Sequence, residues 1–340
     1  MEFSKYSSIE NHYIDTFMDK IKSSIPKNTI FVATNKIDGA NFSFYYNKEN
    51  EMRVAKRTCL IDNEDNFNGS NQIYKKYIGI VNNIFDHINK DYNFTIDTII
   101  LDCEIFGGKY PHPTVKKVNN VSIVQGRIYY TPFNDVACYD MRVKLIGEDK
   151  YNFISMDKVL RYCQTHGMPL VDIMAIGTLE QMEKLNPKYL DPTYKRYNLP
   201  PIENNYSEGY VIKPLYDNYY LSDLGDTRVI FKLKNKEFNE ISKKNKVEDS
   251  KNISEEGNKL ISELGRYINK ERFMSVLSKL DDKDKKIFSL LMYNLTVDAI
   301  EEYKKINGNF EDDFEKNELK LIMRKINKLS SDVVKKRWVQ

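Results

Sequence analysis

At 340 residues, with 41% hydrophobic and 30% charged side chains, the chain is long enough for two domains and a sizeable core. A net charge of +3 is too balanced to mark the whole chain as a nucleic-acid binder, and no apolar run approaches the roughly 18–20 residues of a membrane-spanning helix. Four cysteines (Cys59, Cys103, Cys138, Cys163) and four histidines are dispersed without metal-ligand or disulfide spacing, which argues for reduced thiols in an intracellular protein and against a zinc site.

The opening MEFSKYSSIENHY lacks the basic-then-apolar layout of a signal peptide. Ile9, Tyr13, Phe17 and Ile21 recur at four-residue steps and predict an amphipathic helix over Ser8–Ser24. Residues 30–58 read as strands, with Phe42, Phe44 and Tyr46 alternating against Asn41, Ser43 and Tyr45. The stripe Ile73, Tyr77, Ile80, Val81, Ile84 predicts a helix over 71–88, and TIILDCEIF (98–106) a buried strand ended by Gly107-Gly108. GRIYY (126–130) and DVACYDMRV (135–143) read as strands, followed by helices near 155–166 and 178–185. The four prolines of 186–206 mark a long loop before the strands EGYVIKP and RVIFKLKNKEF. NEISKKNKVEDSKN reads as a charged connector, and every later stripe is helical. The layout is α+β to about residue 240, then all-α.

Lys36 stands between an apolar strand and a turn, IDGAN, whose Asp-Gly pair is by itself an ordinary hairpin signal. Lys232 and Lys234 share one face of RVIFKLKN, which is either a solvated face or a pair of ammonium groups aimed at a polyphosphate. Glu208 and Lys213 bound EGYVIKP, where a carboxylate can guard a sheet edge or hold a metal or nucleotide group. Glu104, between Leu101 and Phe106, is costly unless paired or used. Arg57 offers a fork for phosphate or carboxylate, and Tyr139 is either core or a platform for stacking a base.

The pieces KIDGAN, AKRT, EIFGG, CYD, EGYVIKP and FKLKNK occur in the order of the six nucleotidyltransferase motifs of covalent ligases and mRNA-capping enzymes. Together with KYSSIENHY they resemble the RNA ligase 2 family, from about residue 3 to 238, while the helical tail matches in kind only. The resemblance implies an adenylation domain of antiparallel sheets with flanking helices (1–243) and a small helical domain (244–340). It implies an ATP-dependent RNA ligase in which Lys36 attacks the α-phosphate and carries AMP on its amine, with Lys232 and Lys234 contacting that phosphate. Asn35, Ile37, Asp38, Asn41, Arg57, Glu104, Tyr139, Glu208 and Lys213 would surround the nucleotide. Glu104 would accept from the ribose hydroxyl, Tyr139 would stack on adenine, and Glu104 and Glu208 would help place Mg2+ or Mn2+. The partner implied is RNA with 5′-phosphate and 3′-hydroxyl ends, duplex or nicked. The sequence departs from the pattern at Asn35, where the family commonly has Glu, and at Asp38, where close relatives often have His. DNA ligases and capping enzymes usually append a β-rich fold after the last motif, and this chain appends helices. A catalytically silent RNA-end binder is the rival of another class, weakened by the retention of every charged motif residue.

Overall fold

Alternation in Ala40–Asn47 sends Phe42, Phe44 and Tyr46 into the core and leaves Asn41, Ser43 and Tyr45 on the opposite face, and that division organises the α+β part of the chain. The computed structural model describes residues 1–49, 51–62, 65–238, 253–281 and 287–338. Two compact units result, one of Met1–Tyr13 with Phe17–Asn235, the other of Ile14–Thr16 with the chain from Lys236 onward. The anticipated boundary at 243/244 and the charged connector lie outside the described residues.

In chain order the elements before Asn235 are β1 (Glu10–Asn11), α1 (Asp15–Ser24), β2 (Phe31–Asn35), β3 (Ala40–Asn47), β4 (Met52–Lys56), α2 (Ser70–Asp91), β5 (Ile96–Gly107) and β6 (Asn134–Leu145). They continue with β7 (Asn152–Phe153), α3 (Met156–His166), β8 (Ile173–Gly177), α4 (Leu179–Glu183), β9 (Gly209–Pro214), β10 (Tyr220–Leu221), β11 (Thr227–Arg228) and β12 (Phe231–Lys234). One five-stranded sheet runs β1-β12-β9-β2-β8 and a second β4-β3-β5-β6-β7, with β10-β11 a small ribbon. All pairs are antiparallel except β1 with β12. The stripe Ile73, Tyr77, Val81, Ile84, Ile88 of α2 and Val159, Tyr162, Cys163 of α3 pack on the apolar face of the second sheet.

Two expectations are corrected and a third element is new. The helix anticipated over Ser8–Ser24 begins only at Asp15, because Glu10 and Asn11 pair with Phe231 and Lys232 as an edge strand and the His12 N–H continues the ladder to the Lys232 carbonyl (3.1 Å). GRIYY forms no strand. Its alternating buried Ile128 and Tyr130 mimic one, but Gln125 and Gly126 take positive φ and turn the segment out of any sheet. The third is β8, an unforeseen edge strand hidden by its exposed Ile173 and Ile176.

In the second unit α5 (Glu255–Gly265), α6 (Lys270–Ser278), α7 (Phe288–Asn307) and α8 (Lys316–Trp338) bury Leu260, Ile261, Leu264, Phe273, Leu291, Leu295, Ile322 and Ile326 together. Ser254 and Asn269 cap α5 and α6, their side chains accepting from the Gly257 and Arg272 N–H groups at 3.0 and 2.9 Å. No helix of the described residues is long and apolar enough to cross a membrane.

Candidate active site

The turn from β2 to β3 carries the chain from one sheet to the other, and Lys36 lies at its start. Its backbone N–H donates to the Gly209 carbonyl (2.9 Å), which fixes it beside β9. Gly39 is required by packing, since a Cβ there would lie 2.3 Å from the Ile105 carbonyl oxygen and 2.8 Å from Glu104 Cγ. Ile37 between them is buried. Lys36 Nζ meets Glu208 Oε2 at 2.6 Å, and Lys234 Nζ meets Glu208 Oε1 at 3.0 Å. One buried carboxylate thus gathers two ammonium groups from different strands. Burial pushes the Glu208 carboxyl up, but Lys36, Lys234 and Arg127 outweigh it and hold it at about 2. Lys234 is 8% exposed, so it does not stand on a solvated face, and Lys232 lies on the same side of β12, half-buried.

The polar face of the second sheet supplies the next group. Asn41 pairs across the ladder with Glu104, and Arg57, just past β4, is close enough for its charge to bear on Glu104 and Tyr139. Glu104 makes no ion pair among the described residues. Burial pushes its carboxyl up to about 8, against the opposing charges of Lys36 and Arg57. Tyr139 stands on a β-bulge, because Cys103 pairs with Cys138 and Asp102 with Asp140, leaving Tyr139 as the extra residue. The bulge turns Tyr139 to the polar face, where its hydroxyl accepts from the Asn41 amide and its ring stands edge-on to Tyr6 at 5.3 Å.

Lys213, expected at the nucleotide, is bonded within the protein. Its ammonium bonds the Tyr139 carbonyl (2.8 Å) and pairs with buried Asp140 (3.1 Å), which also holds Arg228 (2.6 Å) and the Tyr6 hydroxyl (2.7 Å). Its geometry makes it a support for the bulge that aims Tyr139.

Asn35 is likewise turned away. Its amide nitrogen donates to Asp191 (2.8 Å) and Thr193 (3.3 Å), and its oxygen accepts from Tyr189 (2.8 Å) and Ser207 (2.5 Å), which uses every donor and acceptor it has. Burial raises the Asp191 carboxyl to about 6, with the Asn35 and Thr193 hydrogen bonds opposing. A carboxyl raised on folding stabilises the folded state below its ordinary value of 3.8, and that contribution is lost as pH rises through about 6. The stability advantage of wild type over Asp191→Asn, measured by urea unfolding, should therefore decline between about pH 4 and 6, by as much as about 3 kcal/mol. An unchanged difference across that window would mean that Asp191 titrates normally.

A strap not foreseen from sequence lies across the KIDG turn. Arg127 Nε donates to Asp38 Oδ2 (2.8 Å) and its Nη2 to Asp38 Oδ1, a two-point pair. The Asp38 N–H donates to the Tyr130 hydroxyl (2.7 Å), and the Gln125 amide to the Gly39 carbonyl (3.1 Å). Asp38 is thereby tied down through its side chain and its backbone.

A family model described as RNA ligase matches residues 29–234, the span that carries every strand of the two sheets but β1, and one described as T4 RNA ligase 2 C-terminal matches residues 250–332. The chain belongs to the RNA ligase family. Its C-terminal match agrees with the resemblance to the RNA ligase 2 branch. It is 22% identical over 229 residues to the mitochondrial RNA-editing ligase 2 of Trypanosoma brucei brucei, across 62% of this chain and 55% of that protein. To the mitochondrial RNA-editing ligase 1 of the same organism it is 22% identical over 274 residues, across 74% of this chain and 58% of the relative. The chain thus spans somewhat over half the length of these curated relatives. Among solved structures it is similar to a Naegleria gruberi RNA ligase mutant with ATP and Mn, at 16% identity and TM-score 0.45 over 69% of this chain and 57% of that one. An apo mutant of the same Naegleria enzyme aligns at 17% identity and TM-score 0.45, over 70% and 58%.

Of the residues expected at the site, Lys36 and Lys234 both touch Glu208, and Asn41 and Tyr139 meet beside Glu104. Asp38 is held by Arg127, while Asn35 and Lys213 are bonded to Asp191 and Asp140. Arg127, Tyr130, Asp140 and Asp191 were missed. The one sequence signal for Arg127 is a charged residue directly after a glycine in an otherwise apolar run, which is weak.

Proposed function

We propose that this chain is an ATP-dependent RNA ligase that joins a 3′-hydroxyl to a 5′-phosphate in three steps. In the first, Lys36 Nζ forms a bond to the α-phosphorus of ATP, the bond to pyrophosphate breaks, and AMP stays on the amine. In the second, AMP passes to the RNA 5′-phosphate. In the third, the 3′-hydroxyl attacks that end and AMP leaves. The observation that supports this reading best is the gathering of Lys36 and Lys234 on buried Glu208, at the turn between sheets.

Lysine attacks only as the free amine, so the Lys36 ammonium must first give up its proton to solvent. Glu208, held at about 2, is too weak a base to take its proton and serves to fix the two lysines in place. Lys234, with Lys232 on the same strand, would offset charge on the α-phosphate as the phosphorus becomes five-coordinate. Tyr139, turned to the polar face by its bulge, offers a ring for adenine, and Asn41, bonded to its hydroxyl, would orient the ribose and phosphate region. Glu104 would accept from the ribose hydroxyl, with Arg57 near it for ribose or RNA phosphate.

The donor set also fits a divalent cation. Glu104 makes no ion pair among the described residues and would be a ligand once ionised, which a cation favours, and Glu208 is already ionised, so these two would hold Mg2+ or Mn2+ jointly with the phosphates, where it would draw charge from them. Among the described residues no three His, Cys, Asp or Glu side chains are grouped to hold a metal by themselves.

An A-form duplex presents phosphates and 2′-hydroxyls rather than readable base edges, so a nicked RNA duplex would be gripped mainly through its backbone. The helical C-terminal domain, rich in lysine, would share in that grip. Incubation with ATP labelled in its α-phosphate and Mg2+, followed by denaturing electrophoresis, should label the protein, and added nicked RNA should be sealed. A protein that binds RNA ends yet takes no label would be the silent binder instead.

A further inference from the structure

The strap over the KIDG turn divides into two kinds of contact. Gln125 and Tyr130 hold the backbone of the turn, at the Gly39 carbonyl and the Asp38 N–H. Arg127 alone holds a side chain, the Asp38 carboxylate. The turn is therefore anchored without Arg127, whose guanidinium is 19% exposed while Asp38 is 5% exposed.

Asp38 lies two residues from Lys36, and the charge of Lys36 bears on it. A carboxylate this buried and left unpaired is costly, so it draws a mobile cation within reach. Lys36, whose charge already bears on Asp38, is an ammonium on a flexible four-carbon stem. Among the described residues its carboxylate partner is Glu208, at 2.6 Å.

We infer that Arg127 is a positioning residue for the lysine nucleophile, holding Asp38 aside so that Lys36 stays on Glu208, beside Lys234. The inference rests on the proposed ligase reading and adds to it a residue outside the six motifs. Without Arg127 the Lys36 amine is shared between two carboxylates and moves off the line of attack, and displacements of about 1 Å cost on the order of 10²-fold in rate. The steps that make and break the bond to Lys36 suffer. Sealing of an RNA end that already carries AMP does not use Lys36 as nucleophile and is spared.

The test compares wild type, Arg127→Met, Asp38→Asn and the double variant in single turnover, with ATP labelled in its α-phosphate, and separately on a nicked RNA whose 5′ end is pre-adenylylated. Arg127→Met should slow adduct formation on the order of 10²-fold while sealing of the pre-adenylylated nick stays within about threefold of wild type. In the Asp38→Asn background the same change should cost less than about twofold, because no carboxylate remains to misplace the lysine. Should Arg127→Met fail to fold, the double variant buries no lone charge and gives the comparison against Asp38→Asn. Equal slowing of both steps, or losses that multiply in the double variant, would overturn the role of Arg127 and leave the ligase reading intact. A wild-type protein that takes no label overturns both.

Discussion

Lys36→Ala is expected to take no label from ATP and to lose joining of ordinary 5′-phosphate ends entirely, while sealing of pre-adenylylated RNA persists. The contact with Glu208 is half the reason the substitution is tolerated. Glu208 keeps Lys234 at 3.0 Å, so removing Lys36, which is 21% exposed, does not leave a bare buried carboxylate. Thermal unfolding should shift less than in Lys234→Met, because Lys36 is the more exposed of the two lysines on Glu208. Lys36→Arg sharpens the test. Arginine keeps a cation for Glu208 but stays protonated at any working pH, so it restores the charge without restoring a nucleophile. Both variants should be equally devoid of adduct. An acid-labile adduct of wild-type yield in either would remove Lys36 from the reaction.

The parts of this protein written in local pattern were legible, and the parts made by long-range contact were not. Two-residue alternation in 40–47 announced β3, and four-residue stripes announced α2, because each depends only on near neighbours along the chain. The bulge at Tyr139 was half-visible. The core residues of β6 run Val136, Cys138, then Met141, Val143, a step of three where alternation demands two. Asn35 looked like a nucleotide contact because it adjoins Lys36, but its direction is set by Asp191 and Ser207, 156 and 172 residues away. Arg127 reads as part of a strand until Asp38, 89 residues earlier, gives it a partner. Lys213 illustrates the same limit, since nothing in EGYVIKP tells that its ammonium reaches Asp140 rather than a ligand.

Lys234 and Lys232 share a face of β12, yet their substitution should give different results. Lys234 is 8% exposed and bound to Glu208, so Lys234→Met removes a charged hydrogen bond from a buried group and should cost about 1.5–3 kcal/mol of stability. Lys232 is half-buried beside the edge strand, and the stability of its Met variant is measured alongside. Their chemical consequences should nonetheless be alike. Each ammonium would lie where charge grows on the α-phosphate, and deleting one such donor typically slows the reaction by roughly 10²-fold or more. In Lys234→Met a second effect adds to the first, because Glu208 is left to Lys36 alone and holds the nucleophile more tightly. Adenylylation should therefore fall further in Lys234→Met than in Lys232→Met, although the motif FKLKNK presents the two residues as equals. Adduct rates in single turnover, set beside urea unfolding of the same preparations, separate the two contributions. Wild-type adduct rates in both variants would return the lysines to a merely supporting role. Equal rates with unequal stability would leave the phosphate contacts standing and remove the added influence of Lys234 through Glu208.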